Sequence, residues 1–105
     1  MVNPDTIAAQ MEGGSLFGLT AALYGAITLK NGRVEQGNFN NYRPMRIDEA
    51  PVIETHLIKS TEAPGGIGEA ATAAVGPAVA NAIFAATGKR IRTLPIDAQQ
   101  LKAVG

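Results

Sequence analysis

Residues Ser60 to Gly88 read STEAPGGIGEAATAAVGPAVANAIFAATG, and this stretch decides the fold. A run of small residues and glycines up to Gly68 gives way at Glu69 to alanine-rich sequence. Alanine is the best helix former, and glycine and proline are the worst. The composition therefore predicts a loop over residues 60–68 and a helix opening near Glu69. Val79, Ile83 and Phe84 give that helix an apolar face, and Gly76-Pro77 is the point where it breaks or restarts. Gly88 is its C-cap, followed by Lys89 and Arg90 at the negative end of the dipole.

A second helix lies upstream. Asn3-Pro4-Asp5 is a start signal: Asn3 caps, Pro4 takes the first helical position, and Asp5 complements the dipole. The helix is predicted to run to about Tyr24. Ile7, Met11, Leu16, Phe17, Leu19 and Leu23 cover most of its circumference, the pattern of a buried helix. Gly14, Gly18, Ala22 and Gly25 form a stripe of small residues, which implies close approach of another backbone or of a cofactor.

Strand signals are short. Ala26 to Lys30 alternates, Asn31-Gly32 follows, and Arg33-Val34-Glu35 completes a hairpin, since a type I′ turn needs positive φ at both positions. Residues 36–48 form a long polar loop containing Tyr42, Pro44 and Met45. Pro51 to Lys59 is predicted as an inner strand, with Ile53, Thr55 and Leu57 on one face and Val52, Glu54, His56 and Ile58 on the other. His56, the one histidine, is assigned to the surface with no catalytic role. Ile91 to Leu94 is a further short strand, and Asp97 to Ala103 a short terminal helix. The fold class is α+β: two main helices packed on a small, mostly antiparallel β-sheet, in one domain spanning residues 1–105.

Composition removes several function classes. The 105 residues include 46% hydrophobic and 17% charged residues, which is globular composition. Nine basic residues balance nine acidic ones, so no nucleic-acid or polybasic membrane partner is expected. The absence of cysteine excludes disulfides, thiolate metal sites and a cysteine nucleophile. One histidine and no cysteine leave no self-contained catalytic triad, and no metal-ligand spacing is present. The N-terminus shows no targeting signal. The apolar stretches read as too short to span a bilayer. The compartment stays open, with the cytoplasm as the default.

One local constellation has chemical content: Gly65-Gly66-Ile67-Gly68-Glu69. Glycines let backbone N–H groups approach a ligand, and a helix starting near Glu69 adds its dipole. An ionised, partly dehydrated Glu is a competent general base. The competing reading is a first-turn Glu that only stabilises its helix.

Three stretches cover nearly the whole chain: NPDTIAAQMEGGSLFGLTAALYG, ITLKNGRVEQGNFNNYRPMRIDEAP and IETHLIKSTEAPGGIGEAATAAVGPAVANAIFAATGKRIRTLPI. They resemble the large subunit of the molybdenum hydroxylases, the xanthine dehydrogenase and aldehyde oxidase family, above all the isoquinoline 1-oxidoreductase and aldehyde dehydrogenase branch. The resemblance implies the C-terminal part of a molybdopterin-binding domain. It also implies hydroxylation of aldehydes or N-heterocycles with a molybdenum–pterin cofactor and water-derived oxygen. The family's Gly-Val-Gly-Glu motif falls on Gly66, Ile67, Gly68 and Glu69, which makes Glu69 the general base beside the molybdenum. Its Gln-x-Glu-Gly-Gly motif falls on Gln10, Glu12, Gly13 and Gly14, which makes Gln10, Gly13 and Gly14 cofactor contacts. No residue is assigned as a metal ligand. The family's prolines after the Glu are replaced here by Ala70, Ala73 and Ala74, so this segment is expected to be helical.

The chain is therefore expected to be a fragment of an oxidoreductase large subunit, binding no cofactor and showing no activity alone. Its partner is either the missing remainder of the subunit or a second copy, with the Gly14–Gly18 helix at or near the contact. The alternative is a stand-alone, self-associating binding module that has lost the cofactor role.

Overall fold

The computed structural model describes residues 1–102. Helix α1 spans Pro4–Leu23 and helix α2 spans Ala70–Thr87. Strands β1 (Leu29–Lys30) and β2 (Arg33–Val34) lie between them, with a 3-10 turn at Ile47–Glu49 and a short helix α3 at Ala98–Lys102. The class is α+β, and the sheet is a two-stranded antiparallel hairpin that pairs Leu29 with Val34 and Lys30 with Arg33.

The helix signals act as expected. Thr6 N donates to Asn3 Oδ1 at 3.1 Å, satisfying one of the unpaired N–H groups at the start of α1. Gly88 closes α2 in the left-handed conformation, and its N–H donates to the Phe84 carbonyl at 2.7 Å. Asn31 and Gly32 adopt φ of 50° and 75°, as the tight hairpin turn requires. Ala70 to Ala74 is helical. The expected break at Gly76-Pro77 is absent, because α2 runs through Pro77 without interruption. By length and composition α2 also meets the criteria for crossing a membrane, against the expectation of no stretch long enough: it has 18 residues and a mean hydropathy of 1.4. The expected end of α3 at Ala103 lies outside the described residues.

The small-residue stripe on α1 serves helix packing. A Cβ on Gly18 would stand 2.7 Å from the Thr72 carbonyl oxygen, and one on Gly14 would stand 3.3 Å from Ala71 Cβ. The Thr72 hydroxyl donates to the Gly14 carbonyl at 3.0 Å. The face expected to meet a second copy at Gly14 and Gly18 is thus occupied by α2. On another side of α1, Phe17 is 73% exposed.

Two predicted strands are absent. Ile91 to Leu94 forms no strand. The chain instead turns, and the buried Ile96 donates its N–H to the Ala22 carbonyl at 2.7 Å. That bond satisfies an acceptor near the C-terminal end of α1. Residues 51–59 keep the alternating burial of a strand, with Ile53, Thr55 and Leu57 half-buried and the others exposed, but pair with nothing. A strand needs a neighbour of matching length, and the only other strands among the described residues are two residues long.

The buried core is accordingly small: Ala22, Ala71 and Ile96 among the apolar residues. The chain exposes 8201 Å², against about 5,600 Å² for a compact monomer of this mass. Its radius of gyration is 16.7 Å, against about 13 Å for a compact chain of this length. The fold holds together at the α1–α2 contact and leaves much apolar surface open.

Candidate active site

The α1–α2 contact positions the residues that the sequence singled out. Gly14 and Gly18 allow α2 to lie against α1, and the start of α2 then falls beside the first half of α1. This brings the Gln10 side chain to the glycine loop: its Nε2 lies 3.8 Å from the position of a Cβ on Gly68. Glu69 directly follows, as the N-cap of α2, with φ −126° and ψ −3°. Its carbonyl accepts the Thr72 N–H at 3.1 Å, while its side chain makes no capping bond and is free for other work.

The remaining candidates divide. Gly66 and the neighbouring Gly65 have no atom within 4 Å of where a Cβ would be, so their backbone is open to a ligand. Ile67 is half-buried and lies with Leu57 and Ile58 at the edge of an open cleft. Gly14 is turned against Ala71 and Thr72 in the helix contact. Gly13 opens onto a separate cleft with Leu16, Phe17, Met45 and Ile47, away from the glycine loop. The two sequence motifs therefore meet at Gln10 and Gly68, with Gly13 apart from that meeting point.

The glycine loop, with Pro64, Gly65 and Gly66, forms one side of an open cleft of about 600 Å³. Asn3, Thr6 and Ile7 of α1 and its cap, with Leu57 and Ile58, form the other side. Sequence reasoning did not bring these residues to the site. Their proximity follows only from the way α1 crosses the loop, which no local pattern encodes. Among the described residues no three His, Cys, Asp or Glu side chains converge as a metal site. Gln10, Gly68 and Glu69 do not line this cleft but adjoin its glycine-loop end; together with the accessible peptide groups at Gly65 and Gly66, the Gln10 amide and the Glu69 carboxylate suit one wall of a site for a large polar cofactor.

A second polar cluster fastens the 36–50 loop to α1. Arg43 pairs with Glu49 and stacks over the Tyr24 ring, 4.1 Å from its centroid. Glu49 Oε2 accepts the Arg46 N–H at 2.9 Å, and Met45 N donates to Thr20 Oγ1 at 3.0 Å. The Arg46 N–H, and next to it Arg43, hold the Glu49 carboxyl below its ordinary range. The hydrogen bond to Glu49 raises the Arg43 guanidinium in turn. This loop is expected from sequence to be long and polar; its visible work is to anchor Met45 and Arg43 on α1.

Comparison with known proteins places this arrangement. No family model matches the chain. The chain is 43% identical over 96 residues to a membrane-bound aldehyde dehydrogenase [pyrroloquinoline-quinone] of Gluconacetobacter polyoxogenes, covering 91% of this chain and 12% of that protein. It is 34% identical over 96 residues to the beta subunit of isoquinoline 1-oxidoreductase of Brevundimonas diminuta, with the same coverage of 91% and 12%. It is 33% identical over 104 residues to a nicotinate dehydrogenase subunit of Pseudomonas putida, covering 98% of this chain and 9% of that protein. The chain belongs, as a segment, to the molybdenum hydroxylase large subunits. It spans about an eighth of the length of the first of these relatives.

Proposed function

We propose that this chain is the C-terminal, base-bearing segment of a molybdopterin-dependent hydroxylase large subunit, and that it forms one wall of the active site. The observation that carries the reading is the meeting of Gln10 with the loop at Gly68, two motifs far apart in sequence, beside a Glu69 side chain with no structural bond of its own. Gln10 and the Gly66–Gly68 backbone line the cofactor side, Gly14 acts by letting α2 approach, and Gly13, which opens onto a separate cleft, takes no part. Bound, the molybdenum–pterin group supplies the two-electron acceptor for hydroxylation of an aldehyde or N-heterocycle. Glu69 accepts a proton at its carboxylate during that step. The substrate-facing and remaining cofactor-facing walls come from the rest of the subunit, so the chain alone is silent. A pocket with one wall cannot enclose a ligand that needs several.

The test has two arms. In a full-length subunit carrying this segment, Glu69→Gln is expected to lower turnover by about 10²–10⁴-fold with cofactor content unchanged. The purified chain is expected to contain no molybdenum and no bound quinone, the cofactor in the name of the Gluconacetobacter relative. Wild-type turnover in the Gln variant overturns the role of Glu69. Stoichiometric molybdenum on the isolated chain after gel filtration overturns its silence.

The exposed apolar surface favours a second reading, a stand-alone self-associating module without cofactor chemistry. A full-length protein that keeps wild-type activity when this segment is removed supports that reading and excludes the first.

A further inference from the structure

Thr20 and Thr87 turn their hydroxyls back onto their own helices, donating to the Leu16 and Ile83 carbonyls at 3.1 and 2.7 Å. That is the usual local bond of a helical threonine. Thr72 does otherwise. Its hydroxyl crosses to α1 and donates to the Gly14 carbonyl at 3.0 Å. We propose that Thr72 is a positioning residue of the active site, a clasp that holds Glu69 and Gln10 in one mutual geometry. The inference rests on the reading of Glu69 as the general base.

Thr72 is tied to the backbone that carries each of these side chains. Its N–H donates to the Glu69 carbonyl at 3.1 Å, which closes the first turn of α2 on the residue bearing the carboxylate. Its hydroxyl is fixed to Gly14, one turn along α1 from Gln10 and on the same face of that helix. The Glu69 side chain makes no capping bond, so its position follows from this backbone. Glycine at position 14 leaves room for the clasp: a Cβ there would stand 3.4 Å from Thr72 Oγ1 and 3.6 Å from Thr72 N. The two contacts of Thr72 with α1 do different things. Packing of Gly18 against the Thr72 carbonyl limits how near the helices come. The directional hydrogen bond to Gly14 limits how far one slides along the other. A slide of α2 carries Glu69 with it and leaves Gln10 behind. A general base must lie within hydrogen-bond reach of the proton it takes, and a misplacement of about 1 Å caused far from the chemistry can cost about 10²-fold.

The test uses a full-length subunit carrying this segment and loaded with molybdenum, and the 105-residue chain itself. Thr72→Val keeps the branched shape and removes the hydroxyl, whereas Thr72→Ser keeps the hydroxyl. In the full-length protein Thr72→Val is expected to lower kcat about 10–100-fold, with KM and molybdenum content unchanged, and Thr72→Ser is expected to stay near the parent. In a Glu69→Gln background Thr72→Val is expected to add no further loss, because it acts through Glu69. In the 105-residue chain, a nuclear Overhauser contact between the Gln10 side-chain amide and the Gly68 Hα is expected for the parent and Thr72→Ser, and is expected to be lost in Thr72→Val. Parent kcat in Thr72→Val, an equal loss in Thr72→Ser, loss of molybdenum from Thr72→Val, a loss that adds to that of Glu69→Gln, or an unchanged Gln10–Gly68 contact overturns the proposal. Parent turnover in Glu69→Gln overturns the reading of the base and this proposal with it. An impaired Glu69→Gln beside an unaffected Thr72→Val overturns this proposal alone.

Discussion

The Thr72 hydroxyl and the Gly14 carbonyl, 58 residues apart in the chain, are joined by a hydrogen bond of 3.0 Å. One turn further along α1, the Gly18 backbone lies against the Thr72 carbonyl. These two contacts fix the crossing of α1 and α2, and the crossing delivers Gln10 to the glycine loop. Stability and site geometry therefore depend on the same few atoms.

A pair of glycine substitutions separates packing from propensity. A Cβ at Gly18 meets a backbone oxygen at 2.7 Å and Val75 Cβ at 3.1 Å, neither of which is a flexible side-chain tip. Gly18→Ala is expected to destabilise by about 1–3 kcal/mol through overpacking. A Cβ at Gly13 meets nothing within 4 Å, so Gly13→Ala is expected to stabilise by about 0.5–1 kcal/mol through helix propensity. Thermal melts of both variants check the opposite signs, and equal shifts contradict the packing role.

Proline within α2 is the next lever. Pro77 lies in the interior of the helix and has no N–H to donate to the preceding turn. Replacing it with alanine restores one intrahelical bond and removes the ring from the turn above. Pro77→Ala is expected to stabilise by about 1–3 kcal/mol, bounded by the cost of proline in a helix interior. A denaturant midpoint at or below that of the parent shows instead that tertiary packing uses the ring.

The parts of this fold legible in sequence are those with local causes. Asn3, Pro4, Asn31-Gly32 and Gly88 act on neighbouring backbone, and each delimits an element where the residues indicate. The run Ala70–Ala74 is helical for the same reason, because alanine has no competing local conformation. Residues 51–59 show the limit. Their alternation is real, but strand pairing is a contact with something else, and the described chain contains no matching neighbour. The continuity of α2 through Pro77 likewise depends on the rest of the helix, not on the Gly-Pro dipeptide alone. At the candidate site the glycine loop and Glu69 are visible as a motif. The wall contributed by Asn3, Thr6 and Ile7 depends on an interhelical crossing that no short pattern contains.

Acid is expected to loosen the 36–50 loop through Glu49. Its folded carboxyl is held below the ordinary range, chiefly by the Arg46 N–H and then by Arg43. A depressed carboxylate contributes stability above its unfolded pKa, and that contribution disappears as the pH falls through the lower folded value. Amide exchange at Met45 and Arg46 is expected to lose protection, relative to α1, as the pH falls below the usual carboxylate range. Glu49→Gln is expected to remove this pH dependence. Unchanged relative protection down to the lowest pH at which α1 stays folded contradicts the assignment.

The alanines after Glu69 give the last test, since the family's prolines can be put back one at a time. Ala70 is the first residue of α2, a position where proline is favoured because its missing N–H has no intrahelical partner. The cost of Ala70→Pro falls on the preceding residue. Proline disfavours helical ψ before it and pushes that residue toward about +120° to +160°, whereas Glu69 has ψ −3°. The variant is therefore expected to keep α2 and reorient Glu69. Ala74 lies a full turn inside the helix, where proline removes an intrahelical bond and clashes with the turn before, at about 3 kcal/mol. Ala74→Pro is expected to unwind the first turn of α2 and to release the Thr72–Gly14 hydrogen bond with it. Melting temperatures and backbone chemical shifts distinguish the two outcomes: a small stability change with shifts confined to Glu69 and its neighbours for Ala70→Pro, and a large loss spreading to Gly14 for Ala74→Pro. An Ala74→Pro variant that melts with the parent shows that the start of α2 does not hold the helix crossing, and that Gln10 reaches Gly68 by some other constraint.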